Sequence, residues 1–254
     1  MNLIIGRKPV LEALNSDEEI TQVYILYGQE GGIINAIRVA AKKRGIKVNQ
    51  ITSEKFRQIV KDKNAQGVAA VKLSQKFYSL QEIIQSAKLK SSKTQSSEKS
   101  FGESPLILIL DSIMDTHNVG AILRTAECSG VDGIIITKHN SAPINETVAK
   151  TSAGASELVK ICQVNNLANA IDELKKEGFW IVGSYLGNSK PYTEIDYKMP
   201  VALIVGNEEK GIRKLTADKC DFLVHIPMKG KIQSLNVSVA TGILLFEILR
   251  QRSL

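Results

Sequence analysis

Leu106-Ile107-Leu108-Ile109-Leu110 is five aliphatic residues without polar alternation, and it runs into Asp111-Ser112-Ile113-Met114-Asp115-Thr116-His117-Asn118-Val119-Gly120-Ala121-Ile122-Leu123-Arg124-Thr125-Ala126. A strand reads as a short unbroken apolar run when both its faces are covered, the condition of a parallel sheet with helices on either side. Residues 133–137, 180–183, 201–205 and 222–226 repeat the pattern, separated by helix-length segments. The chain from residue 105 onward therefore predicts an α/β domain built on a parallel sheet. In such a sheet the ligand lies at the carboxyl ends of the strands, so the loops after these runs are where chemistry is expected.

Upstream, helical signals at 7–14, 33–44 and 54–61 alternate with strand signals at 22–27, 48–51 and 68–71, which predicts a separate small α/β domain over residues 1–75. Residues 86–100 are polar and Ser/Lys-rich, and the segment 76–104 reads as a flexible linker to a catalytic domain at 105–254. The 254 residues suit two such domains. At 43% hydrophobic and 23% charged the composition is that of a soluble globular protein. No apolar run reaches the roughly 18 residues of a membrane span, and the apolar start at 3–5 is too short for a signal peptide. Cys128, Cys162 and Cys220 are odd in number and widely spaced, which predicts neither disulfides nor a zinc cluster and fits a reducing cytoplasm. The net charge of +7 is unevenly spread. Residues 1–75 hold 12 Lys and Arg against 7 Asp and Glu, and residues 105–254 hold 16 against 16. The basic first unit is expected to grip a polyanion, with Arg7, Lys42, Lys43 and Arg44 as candidate contacts to it.

Familiar fingerprints are missing from the loops. The chain contains no G-x-G, which excludes the dinucleotide-binding turn. Gly206-Asn207-Glu208-Glu209-Lys210-Gly211 has P-loop glycine spacing but lacks the Lys-Ser/Thr and carries two acids where phosphates would sit. There is no G-x-S-x-G or H-E-x-x-H, and His117, His139 and His225 are scattered, so hydrolase and metal chemistry are not expected. Three loops remain rich in glycine and polar groups: 111–126, 206–211, and Pro227-Met228-Lys229-Gly230-Lys231-Ile232-Gln233-Ser234-Leu235-Asn236-Val237-Ser238-Val239-Ala240. The amphipathic stretch 237–250 predicts a helix for which either Ser234 or Asn236 supplies a cap, and Asn118 reads equally as a cap of the helix carrying Arg124.

In this order the three loops resemble the motifs of the SpoU/TrmH branch of the SPOUT methyltransferases, N-x-G-A-I-x-R-T-A, V-G-N-E-x-x-G-I and I-P-M-x-G-x-x-x-S-L-N-V-S-V-A. The start at 5–14 and Gln66-Gly67-Val68 resemble the ribosomal-protein-L30e-like substrate-binding domain that these enzymes often carry, and the whole is most similar to bacterial 23S ribosomal RNA guanosine-2′-O-methyltransferases. Thr116 stands where the family commonly has proline, and Asn64-Ala65 where a histidine often precedes Gln-Gly. The resemblance implies a SPOUT domain with a deep C-terminal trefoil knot, S-adenosylmethionine as cofactor, no metal, rRNA as substrate, and a homodimer with its active site at the subunit interface. It assigns catalysis to Arg124, Asn118, Glu208, Ser234 and Asn236, and cofactor binding to Val205, Gly206, Asn207, Gly211, Ile226, Met228, Ser234 and Leu235. Arg124 would hold the RNA phosphate and assist loss of the ribose 2′-hydroxyl proton. Because an arginine pKa exceeds about 12, stabilising a developing alkoxide is physically easier for it than removing the proton outright.

Overall fold

The computed structural model describes residues 2–16, 18, 20–61, 65–72, 76–94, 104–207, 211–232 and 234–253. The chain divides into two compact units, Met1–Ser74 and Gln75–Leu254.

The first unit runs β1 (Asn2–Ile5), α1 (Arg7–Asn15), β2 (Ile20–Leu26), α2 (Gly32–Lys43), β3 (Lys47–Ile51), α3 (Ser53–Ile59) and β4 (Val68–Lys72). Its sheet has the order β1-β4-β2-β3, with β4 antiparallel to both neighbours and β2 parallel to β3. Val10 and Leu14 of α1 and Ile34, Ile37 and Ala41 of α2 cover one face over Val23 and Ile25. Phe56 of α3 packs on the other with Ala69. The strand β1 was not among the expected elements. Its four residues are too few to show a period of two.

The second unit continues with α4 (Leu80–Thr94), β5 (Leu106–Asp111), α5 (Thr116–Cys128), β6 (Gly133–Thr137), α6 (Glu146–Thr151), α7 (Ala155–Leu158), β7 (Ile161–Val164), α8 (Leu167–Lys176), β8 (Trp180–Ser184), β9 (Lys190–Pro191), β10 (Val201–Gly206), α9 (Lys214–Ala217), β11 (Phe222–His225) and α10 (Val237–Arg252). The sheet order is β7-β6-β5-β10-β8-β11-β9, and every pairing in it is parallel. All six residues of β5 and of β10 are buried, as unbroken apolar runs require. Alternate residues serve opposite layers: Leu106, Leu108 and Leu110 meet Ile122, Leu123, Leu244, Leu245 and Ile248 of α5 and α10. Ile107 and Ile109 meet Ile83, Ile84, Leu167 and Ile171 of α4 and α8.

Two expectations change here. Residues 80–94, assigned to a flexible linker, form a helix, because Ile83, Ile84 and Ala87 recur at helical spacing and bury themselves on the sheet beside Ile107 and Ile135. Lys88 and Lys90 lie on its outer face, Lys88 paired to Glu177 at 2.6 Å and Lys90 to Asp132 at 3.2 Å. Residues 95–100 of that stretch lie outside the described residues. Asn118 is not a cap: α5 opens two residues earlier, and Asp115 accepts from the His117 N–H at 2.8 Å.

Candidate active site

The carboxyl ends of β8, β10 and β11 surround a cavity of about 430 Å3, the position a parallel sheet offers a ligand. Its walls include Val205, Gly206, Asn207, Gly211, Ile226, Met228, Ser234 and Leu235, so all eight residues named for the cofactor come together. Ser184, Tyr185, Leu186, Gly187, His225, Val237 and Ala240 complete the lining and were not foreseen. The resemblance pointed to the other eight; reading the loop after the run at 180–183 would have reached 184–187.

Backbone geometry explains the glycines of the second loop. The Gly211 N–H donates to the Asn207 carbonyl at 2.8 Å, closing a tight turn, and Gly211 sits at φ +64°. A Cβ at Gly206 would stand 2.2 Å from the Gly211 carbonyl carbon, so only glycine lets the strand end pass this close to the returning loop. The far side of the loop is tied to β5. Asp111, with no exposed surface, accepts from the Arg213 backbone N–H at 3.0 Å, from Arg213 Nε at 2.7 Å and from Ser112 Oγ at 3.0 Å. A buried carboxylate needs such donors. Here they tie Arg213 to the strand that neighbours β10, whose Gly206 is the register partner of Asp111.

The third loop delivers the polar side chains. Asn236 caps α10 by accepting from the Ser238 N–H at 2.9 Å, and its Nδ2 donates to Asn118 Oδ1 at 2.9 Å. This joins the first and third sequence motifs at the cavity's edge, because Asn236 stands between the lining residues Leu235 and Val237. Ser234, the alternative cap, faces the cavity. His225 in the cavity wall shares a 2.9 Å hydrogen bond with Ser189. Arg124 is exposed on α5, and its guanidinium makes no hydrogen bond or ion pair to any described residue. Gly120 of the same helix is forced small, since a Cβ there would lie 2.5 Å from Thr151 Oγ1 of α6. Glu208 lies outside the described residues.

The four basic residues named for RNA separate into two kinds. Lys42 and Lys43 are exposed at the end of α2. Arg44 instead donates to the carbonyls of Ala13, Leu14, Ser16 and Glu18, satisfying the open end of α1, and so has a structural task. Arg7 donates to the Gln29 side chain and to the Gln66 carbonyl, which fixes the turn before β4.

The cavity fits S-adenosylmethionine in kind. Its volume is that of a small-molecule site, and Val205, Ile226, Leu235 and Val237 give an apolar wall for a purine. Among the described residues no cluster of His, Cys, Asp or Glu is placed to hold a metal ion.

Comparison with known proteins agrees with this geometry. Residues 105–246 match the SpoU rRNA Methylase family, and residues 3–75 match the family model described as RNA 2′-O ribose methyltransferase substrate binding. A TrmH family tRNA/rRNA methyltransferase of Bacillus subtilis is 36% identical over 98% of this chain and 96% of its own length. A relative of the same description from Staphylococcus haemolyticus is 38% identical over the same shares. The crystal structure of an AdoMet-bound rRNA methyltransferase from Sinorhizobium meliloti superposes with a TM-score of 0.60 at 27% identity, covering 98% of this chain and 86% of that one. The buried parallel sheet, the cavity at its carboxyl edge and both family matches thus converge, and the chain belongs to the SpoU/TrmH family of RNA 2′-O-methyltransferases that use S-adenosylmethionine.

Proposed function

We propose that this chain methylates the ribose 2′-oxygen of one guanosine in 23S ribosomal RNA, working as a cytoplasmic homodimer. The observation carrying the site assignment is the convergence of Val205–Asn207, Gly211, Ile226, Met228, Ser234 and Leu235 on one cavity, with the Asn118–Asn236 pair at its edge. S-adenosylmethionine held there supplies the methyl group. The chain's own residues position the nucleotide: Arg124 pairs with the phosphate and stabilises charge developing on the 2′-oxygen as its proton leaves, while the Asn118 and Asn236 amides orient the ribose.

The dimer is supported by two surfaces that a single chain leaves open. Val239 and Phe246 of α10 are 51% and 53% exposed, and they lie two helical turns apart on a helix packed against α5, where Gly242 meets Thr125. Arg124, also on α5, has no partner among the described residues of its own chain. A second copy docked on α5 and α10 would bury the apolar stripe and bring Arg124 to a shared site. We also infer that the C-terminal segment is knotted, since the chain after β11 returns to the end of β10 and places Ile226, Met228, Ser234 and Leu235 on the same cavity as Gly206 and Asn207.

The description of the relatives as tRNA/rRNA methyltransferases supports a second reading, a transfer RNA ribose as target. One experiment separates the two. Ribosomal and transfer RNA from a strain lacking this gene are mapped for 2′-O-methyl groups and then treated with the purified protein and labelled S-adenosylmethionine. A single guanosine of 23S RNA should be missing and then restored. A site restored only in transfer RNA selects the second reading, and no site in either RNA overturns both. Calorimetry should give one cofactor bound per chain, with the same affinity in the presence of a chelator.

A further inference from the structure

The positive charge of the first unit is concentrated in one place. Residues 31–53 contain Arg38, Lys42, Lys43, Arg44 and Lys47 and no acidic residue, while the rest of residues 1–75 holds seven basic and seven acidic ones. The whole excess of the unit therefore sits on α2 and β3. Arg44 is spent on the end of α1. Arg38, Lys42, Lys43 and Lys47 are exposed and make no ion pair or hydrogen bond to any described residue.

These cations border a groove. Arg38 and Lys42, one helical turn apart on α2, and Gly45, Ile46, Val48 and Gln50 line an open depression of about 490 Å3. Ile46, Val48 and Gln50 share one face of the β3 segment by alternation, and β3 is the edge strand of its sheet. The groove thus has a cationic wall, a short apolar floor and an amide at one end. A solvated lysine face alone would need no floor.

We infer that this α2–β3 groove holds the phosphodiester backbone of the RNA substrate. The Arg38 fork takes a phosphate, Lys42 takes the next as a point charge, and a sugar or base rests on Ile46 and Val48 with Gln50 in reach of its polar edge. The inference rests on the RNA methyltransferase reading and deepens it. It replaces Arg44 with Arg38 as the guanidinium that meets RNA.

The test is filter binding of full-length protein to deproteinised ribosomal RNA, over about 50 to 200 mM salt. Arg38→Ala/Lys42→Ala should weaken binding by at least about 10-fold at the low end and lower the slope of log affinity against log salt by about 1.4 to 1.8, two phosphate contacts' worth. The charge-matched control Lys55→Ala/Arg57→Ala on α3 should stay within about two-fold, and Arg38→Lys/Lys42→Arg should retain most of the slope. An unchanged slope in the groove variant, or an equal loss in the control, overturns the groove. If the wild-type protein binds RNA with steep salt dependence yet methylates none, the enzymatic reading fails while these slopes still decide the groove.

Discussion

At the scale of single residues, Asn236 divides one amide between two tasks, its oxygen capping α10 and its nitrogen holding Asn118. Asn236→Asp separates them, since the carboxylate still caps the helix but offers no donor to Asn118. We expect melting within about 4 °C of wild type, equivalent to roughly 1 kcal/mol or less, with a large fall in methyl transfer; calorimetry and a labelled-methyl assay read the two effects. Arg124→Ala should abolish transfer while leaving cofactor affinity within about three-fold, because a group acting on the hydroxyl contributes to the transition state and not to cofactor binding. Arg124→Lys should recover little, since an ammonium does not reproduce the planar fork. Near-normal turnover by the alanine variant would move catalysis to other groups. Sequence reading placed these residues in the site through motif order, yet it could not divide the capping role between Ser234 and Asn236. That choice depends on the φ and ψ of the loop, which the neighbouring elements set.

At the scale of elements, α4 is where sequence reading failed, for a definite reason. A window at 86–100 contains one apolar anchor, Ala87, plus Leu89 on the outer face, whereas the helix is held by Ile83 and Ile84 just before it. Ile84→Ala should cost about 2 to 5 kcal/mol, as truncation in a close-packed core does, and lower the melting temperature accordingly. A change below about 0.5 kcal/mol would restore the picture of a tether. In α10, Glu247 is nearly buried and accepts from Arg250 Nε and Nη2 and from Gln251, all at 2.8 Å. The Arg250 hydrogen bonds hold its carboxyl below the ordinary value of 4.5. A carboxyl lowered on folding adds stability above its unfolded value, and that stability is lost as the pH drops through the lowered one. Glu247→Gln should therefore melt earlier than wild type at neutral pH, and the gap should narrow as the pH falls below the ordinary carboxylate range.

At the scale of the whole molecule, the proposed dimer is tested on the exposed face of α10. Phe246→Asp places a charge in the apolar stripe of α10 without touching the cavity lining. It should shift the protein from dimer to monomer in analytical ultracentrifugation and remove methyl transfer in parallel. A fully active Phe246→Asp monomer would show that each chain holds a complete site. The two units differ in their charge economy. Residues 105–254 are electrically balanced, and the first unit carries its excess on one helix and one edge strand.

What the sequence by itself determined was local or ordered along the chain. The unbroken aliphatic runs required a sheet covered on both faces, and the resemblance carried by the three glycine-rich loops pointed to eight residues that line one cavity. Only the tertiary structure decided which strands are neighbours: β10 lies between β5 and β8, so Gly206 meets Asp111, 95 positions away in the chain. It also showed that Asp111 holds Arg213 and that Arg44 donates to the carbonyls at the end of α1. The physical reason is the same in each case. Periodicity and turn chemistry act over a few residues, whereas a buried carboxylate or a guanidinium is satisfied by whichever donors and acceptors folding brings to it from far along the chain.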